Sequence, residues 1–443
     1  MKIWTNIKSI FAIDELKDRI LYTIGFILIF RLGSYIMLPG LDYNVVHAAG
    51  DVEGLFGLID NFLGGAFSNK AIFGLGIMPY ITASIVIQLL QVAVPYFQRL
   101  QKEGESGTKK INQMTRVLTL VVCTFQSIGY ITAYVNPSEI LVENQLLFQV
   151  SSVIILTTGT FFCVWLGDKI TEKGIGNGIS MLIMIGILSR LPASFIAEVL
   201  DKKVEGMLFV ALEMAVLYFI FMGVVLITQA TRHIPVSYAK QVVGNKVYGG
   251  QRNYIPMKVN AAGVMPIIFA QSLMFLPSML LGQFQNDENT NQTILYLQKT
   301  FSSPANFGYM VFLGVLIILF TYFYTAMTIN PNKIADDLKR NGGFVPGVKP
   351  GQPTADYIDN VLSKITLPGA IYTALIAILP GVAMIFGVGG KFAQFFGGTS
   401  LLIMVGVVID TISQIKSYLQ MSHYDGMMKT GKLKGKSSSL AVA

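Results

Sequence analysis

Charge is what this chain has least of: 13% of its 443 residues are Asp, Glu, Lys or Arg, against about a quarter in an average soluble domain. With 53% hydrophobic residues and a mean hydropathy of +0.57, long uncharged runs exclude a water-facing surface over most of the chain. A membrane is the expected solvent. Cysteine is almost as scarce. Cys123 and Cys163 both sit inside apolar runs, so neither a disulfide framework nor a zinc cluster is expected. His47, His233 and His423 stand far apart without ligand partners, and no metal or other cofactor is expected. Catalytic motifs are missing as well. The nearest approach to a phosphate-binding loop, GMMKTGKL at 426–433, has Leu433 where Ser or Thr must hold the metal ion. Gly174, Gly176 and Gly178 in KGIGNGIS repeat more tightly than a dinucleotide fingerprint and follow an apolar run, which reads as a sharp turn back into the bilayer. No Ser/His/Asp set or carboxylate pair stands on an apolar face, so an enzyme is not expected.

What the chain has instead is ten apolar stretches, each near the roughly 20 residues that a helix needs to cross hydrocarbon. They run 20–38, 72–94, 117–134, 146–166, 179–191, 207–228, 264–281, 308–328, 367–388 and 401–419. The fifth is expected to extend past Pro192 and the seventh to begin earlier, near Asn260. Ten crossings put both termini on one side, and 26 of the 33 basic residues fall in segments on that side. Positive residues stay inside, so both termini are expected in the cytoplasm. A cleaved signal peptide would need a small-residue site after Leu38, and more apolar sequence follows instead.

A division at the outer loop 193–206 leaves five spans in 1–192 and five in 207–420, followed by a basic, Ser-rich tail at 421–443. An odd number per half makes the halves run in opposite directions, and inverted repeats usually enclose a path at their interface. A ten-helix bundle without symmetry is the alternative on spans alone. Between the first two spans, LFGLIDNFLGGAF at 55–67 is only about 20 Å long as a helix and cannot cross. It either lies in the outer interface or folds back into a cavity, with Gly64 and Gly65 as a flexible joint. Three charges fall within spans: Arg31, Glu213 and Asp410. Arg31 and Glu213 can snorkel to an interface, which leaves Asp410 as the one deep acid. Structural pairing or cavity hydration is favoured over proton coupling for these groups. The loops 231–260 and 330–364 exceed ordinary connections and suggest docking sites, with part of their charge solvated beside anionic lipid.

Longer motifs then become recognisable: FLGGAFSNKAIFGLGIMPYITASIVIQLL at 62–90, KEGESG at 102–107, WLGDKITEKGIGNGIS at 165–180, FVPGVKPG at 344–351 and FGGTSLLI at 396–403. In this order they closely resemble the SecY family, the channel-forming subunits of the bacterial protein translocon, over about residues 14–435. The resemblance implies an all-α polytopic membrane protein, with ten transmembrane helices in two inverted five-helix halves around a central hourglass pore. A short re-entrant plug helix would close it outside, and this favours re-entry for 55–67. The plug residues implied are Leu55, Phe56, Leu58, Ile59, Phe62, Leu63, Gly64, Gly65 and Phe67. By motif position the pore ring would comprise Ile77, Ile81, Ile179, Ile183, Ile268 and Ile403. Without the resemblance these isoleucines read as ordinary packing. A lateral gate between the second and seventh spans would carry Ser84, Gln88 and Asn260, joined by Gln126 from the third.

The function so implied is a protein-conducting channel of the bacterial plasma (inner) membrane. It translocates unfolded secretory polypeptides and releases transmembrane segments sideways into lipid, driven by the SecA ATPase or the ribosome. SecE and SecG would complete a heterotrimer, and signal sequences and nascent chains would be the clients. Docking falls to Lys240, Lys246, Arg252, Arg340 and Lys349. Here the chain departs from the family's pattern. Lys349 stands where arginine is usual, which keeps the charge and loses the bidentate fork, and Asn245 and Lys246 replace a common arginine pair. The rival readings are a secondary transporter working through Asp410 and a scaffold that passes nothing.

Overall fold

The computed structural model describes residues 13–48, 57, 60, 62–202, 206–238, 241–243, 246–248, 252–282, 300 and 304–429. In chain order its helices begin with α1 (Asp14–Gly33), α2 (Tyr43–Ala48), α3 (Met78–Ala93), α4 (Pro95–Lys102), α5 (Glu105–Tyr134), α6 (Gln145–Lys173) and α7 (Gly178–Lys202). They continue with α8 (Met207–Gln229), α9 (Met265–Gly282), α10 (Phe307–Thr328), α11 (Pro331–Arg340), α12 (Gln352–Ile385), α13 (Gly390–Ala393) and α14 (Gly398–Lys429). Each of the ten expected spans coincides with a helix of this series. Seven described helices are long and apolar enough to cross a membrane, and the bent pair α3 and α4 would make an eighth. Helix α1 opens on Asp14, Glu15, Lys17, Asp18 and Arg19, which shortens its apolar part.

Proline sets several boundaries. Pro95 offers no N–H and pushes Val94 into an extended conformation (φ −113°, ψ 121°), so α3 ends there and the chain turns by 96° into α4. Helix α4 then lays Phe97 and Leu100 against Ile87, Ile111, Met114 and Leu118. Helix α3 starts at Met78 rather than at 72, because 63–77 are spent on turns and a bridge between Met37 and Ala71. The fifth span extends past Pro192 as expected, while the extent of the loop after it and the start of the seventh span are corrected. Helix α7 continues through Pro192 to Lys202, so most of the segment read as an outer loop, 193–202, is helical. Helix α9 does not reach back to Asn260. Residues 259–264 form turns, and the helix begins at Met265 with Pro266 in its first turn, where a missing N–H costs nothing.

The two halves repeat most of one neighbour order, the broad packing of α1 on α6 having no equal between α8 and α12 among the described residues. In the first, α3 packs on α5, α5 on α6 and α6 on α7, with α1 against α7 and α3 against α6. In the second, α9 packs on α10, α10 on α12 and α12 on α14, with α8 against α14 and α9 against α12. That is the arrangement inverted repeats give. The halves meet where α7 packs on α14 and α8, whereas α3 and α9 share no broad face among the described residues.

Strands depart from the all-helical expectation. β1 (Thr231–Tyr238), β2 (Gln241–Val243), β3 (Lys246–Tyr248), β4 (Arg252–Lys258) and β5 (Gly343–Phe344) form a three-stranded sheet ordered β4-β1-β5 and a β2-β3 hairpin. β1 and β4 pair antiparallel from Thr231↔Lys258 to Ser237↔Arg252, and β5 joins at Ser237↔Phe344 and Tyr238↔Gly343. The two loops expected as docking sites therefore share one sheet. Its alternating residues Ile234 and Val236 share a core with Met257, Leu338, Val345, Ile358 and Leu362.

Candidate functional site

The six isoleucines of the expected ring divide between two apolar clusters. Ile77 is buried with Phe30, Phe73, Leu166 and Leu182, and Ile81 and Ile179 pack against that group. Ile403 is buried with Met184, Ile187, Phe395 and Phe396, and Ile183, Ile268 and Phe62 pack against them. Three ring positions thus gather on the first half. Ile183 of α7 joins Ile268 and Ile403 of the second half, together with Phe62 of the expected plug. Ile179 and Ile183 reach both clusters because α7 starts directly after the glycine turn. Gly176 adopts φ +86°, and a Cβ on Gly178 would meet the Gly167 carbonyl oxygen at 2.0 Å. The turn also joins the halves: Gly176 N–H donates to Gln414 Oε1 at 2.9 Å, and Arg19, 4.9 Å from the Tyr418 ring, donates to the Gly174 carbonyl at 3.5 Å.

Of the expected plug, Leu55, Phe56, Leu58 and Ile59 lie outside the described residues. Leu63, Gly64, Gly65 and Phe67 are buried, and Phe62 is half-buried. The glycine pair is no loose joint. Gly64 and Gly65 hold φ +62° and +92°, and added Cβ atoms would lie 2.5 Å from an Arg31 nitrogen and 2.7 Å from an Arg190 nitrogen. Only glycine fits both the backbone and the space. Around this turn Arg31 donates to the Gly64 carbonyl at 3.2 Å and the Tyr130 hydroxyl to the Phe67 carbonyl at 2.7 Å. Asp60, only 4% exposed, accepts from the Ser68 amide at 2.9 Å, from the Ser68 hydroxyl at 3.0 Å and from Arg190. Sequence reasoning passed over Asp60 and Arg190. The available signals were a single charge inside an apolar segment and a basic residue left within the fifth span.

The charges within spans are mostly paired. Glu213 pairs with Lys202, which also meets Glu198 at 3.0 Å, and Glu198 accepts the Gly389 amide at 2.9 Å. This staple joins the end of α7, the start of α8 and the chain before α13. Asp410, expected to be the deep acid, is exposed. The buried part of α14 runs from Thr399 to Val407, and Asp410 lies beyond its end.

At the expected lateral gate, Gln88 donates to Ser84 at 3.3 Å, and Gln126 is half-buried on α5. Asn260 lies in the turns before α9. Gln88 Oε1 and Asn260 Oδ1 are both buried without a hydrogen-bond partner among the described residues, the condition that favours exchange of polar contacts across a seam. Of the expected docking residues, Arg340 and Lys349 are exposed, Lys246 and Arg252 belong to β3 and β4, and Lys240 lies outside the described residues. The Thr354 hydroxyl donates to the Lys349 carbonyl at 2.8 Å, which fixes the tip of the second loop.

Comparison with known proteins adds to this geometry. The SecY family model matches residues 71–412. A protein translocase subunit SecY from Mycobacterium bovis is 40% identical over 440 residues, covering 96% of this chain and 99% of that protein. One from Streptomyces coelicolor is 40% identical over 440 residues, covering 95% and 98%. Among solved structures, a SecY channel described with its plug domain as stabilising the closed state and maintaining a membrane seal superposes with TM-score 0.62 at 15% identity, covering 90% of this chain and 92% of that one. Sec61 in a canine ribosome–channel complex from the endoplasmic reticulum gives 0.59 at 14% identity, with the same coverage. At these identities the likeness is one of fold.

Proposed function

The chain belongs to the SecY family of protein translocase subunits, and from that premise we propose how its geometry conducts polypeptides. All ten helices cross the bacterial plasma membrane with both termini in the cytoplasm, and the path runs between the halves. The observation that carries this reading is the division of six isoleucines between two apolar clusters, with Phe62 packed against the second. A narrow aliphatic ring dewets and blocks ions at rest. The same side chains make no directional bonds, so they splay around any extended chain without reading its sequence.

Segment 55–67 acts as the plug, as in the related structure whose plug is described as holding the closed state. The sparse packing between α3 and α9 supports a lateral exit there. A signal sequence, itself an apolar helix, lodges in that seam and partitions into lipid, with Ser84, Gln88, Gln126 and Asn260 as its polar latch. No nucleotide motif stands in the chain, so the driving force comes from outside. SecA or the ribosome docks on the joint sheet, by analogy with the canine ribosome–channel complex, and SecE and SecG complete the assembly. The chain itself performs no catalysis.

The test is a photocrosslinker at Ile81 in membranes supplied with ribosomes or SecA. A crosslink to a secretory chain arrested in transit, following the arrested length, is the expected outcome. Its absence while the complex is engaged would put the path elsewhere.

A further inference from the structure

An apolar plug in an apolar funnel has no preferred seat, because dispersion and hydrophobic contact are non-directional. Something directional must fix its position. The described part of the segment carries one charge, Asp60, and that charge is 4% exposed. A carboxylate at such depth is tolerated only when it is paired and hydrogen-bonded. Three donors meet it. The Ser68 amide and hydroxyl, at 2.9 and 3.0 Å, come from the same turn and fold the segment around its own acid. The third donor, Arg190, comes from α7 and also donates to the Ser68 hydroxyl at 2.8 Å. Gly65 leaves the room that this guanidinium occupies.

We propose that Arg190 is the positioning residue of the plug: its ion pair with Asp60 latches the turn to α7 and so sets how tightly the resting channel is sealed. This rests on the plug reading given above. Other contacts to the turn are made by Arg31 and Tyr130 to backbone carbonyls, which any sequence supplies. Arg190, by contrast, grips side chains of the turn, the Asp60 carboxylate and the Ser68 hydroxyl, and Asp60 is its only charged partner there among the described residues. Removing Arg190 leaves the buried Asp60 carboxylate without its counter-charge, and removing the Asp60 charge leaves Arg190 only the Ser68 hydroxyl of the turn, so either change loosens the seat.

The experiment measures ion conductance of the purified full complex in planar bilayers without a client, for the parent, D60N, R190Q and a deletion of 55–67. The expected result is a rise in resting conductance of about tenfold or more for both substitutions, approaching that of the deletion. If the deletion leaks while both substitutions stay at the parent level, the latch is refuted and the plug reading stands. If the deletion does not leak, the plug reading itself fails. A second variant, D60C with R190C, guards against damage unrelated to the latch. Oxidised, it is expected to conduct like the parent and to pass no secretory chain; after reduction it leaks like D60N. Failure of the bridge to form, or transport unaffected by it, would overturn the proposal.

Discussion

Lys70 and Glu139 form an ion pair with side chains 10% and 1% exposed, and Asn136 donates to the same carboxylate at 3.2 Å. Lys70→Ala would leave that acid buried and unpaired, at a cost of about 3–5 kcal/mol. A lowered Tm of the detergent-solubilised complex is the expected readout, with Lys70→Met plus Glu139→Leu close to the parent. At Gly186 the limit is steric: a Cβ would lie 2.3 Å from the Phe62 carbonyl oxygen. Gly186→Ala should therefore displace the plug turn at a cost of about 1–3 kcal/mol, detected as raised resting conductance. Neither site was legible in the sequence. Glu139 lies 69 residues from Lys70 and Arg190 lies 130 residues from Asp60, and local spacing carries no information about such pairings. The isoleucines were legible only through the motifs around them. Asp410 was misjudged because hydropathy does not show where burial along α14 stops, and the described burial ends at Val407.

Helices are written into this chain by hydropathy, since every backbone group in hydrocarbon must be satisfied within its own segment. Hence the ten expected spans each found a helix. Their ends were less legible. Pro95 broke α3 as its chemistry dictates and α7 runs past Pro192 as expected, but its continuation to Lys202 and the start of α9 at Met265 were not foreseen. The sheet was the largest omission. β1 alternates, with Ile234 and Val236 inward, but β5 is only two residues long, and its pairing with β1 spans a hundred residues of chain. Its core gives a test at this scale. Val345 is 2% exposed and belongs to the second loop, yet it packs with Ile234, Val236 and Met257 of the first. Val345→Asp buries an unpaired charge, and hydrogen exchange of β1 and β4 should rise together. A change confined to 343–348 would mean that the loops are independent.

The whole molecule is asymmetric about its path. On one side α7 meets α14 and α8, tied at one end by Glu198, Lys202 and Glu213 and at the other by Gly176 and Gln414. On the other side α3 and α9 lie without such ties among the described residues. Cysteines at Gly176 and Gln414, bridged, should leave release of a transmembrane segment into lipid intact, whereas a crosslinker between Ser84 and Asn260 should abolish it. Equal inhibition by both would make the opening a general expansion and not a one-sided parting.

The joint sheet is also tied to the helices below it. β1 follows directly on α8, the Val259 amide after β4 donates to the Ala230 carbonyl at 3.0 Å, and Val259 leads through a short turn into α9. The Val259 carbonyl sits where a Cβ on Gly369 of α12 would lie 2.6 Å away. A load on the sheet is therefore borne by α8, α9 and α12 together. Linkage is reciprocal: the free energy by which a docked partner biases α9 equals that by which a displaced α9 alters the partner's hold. A motor seated on this sheet would thus weigh the cargo in the membrane without touching it.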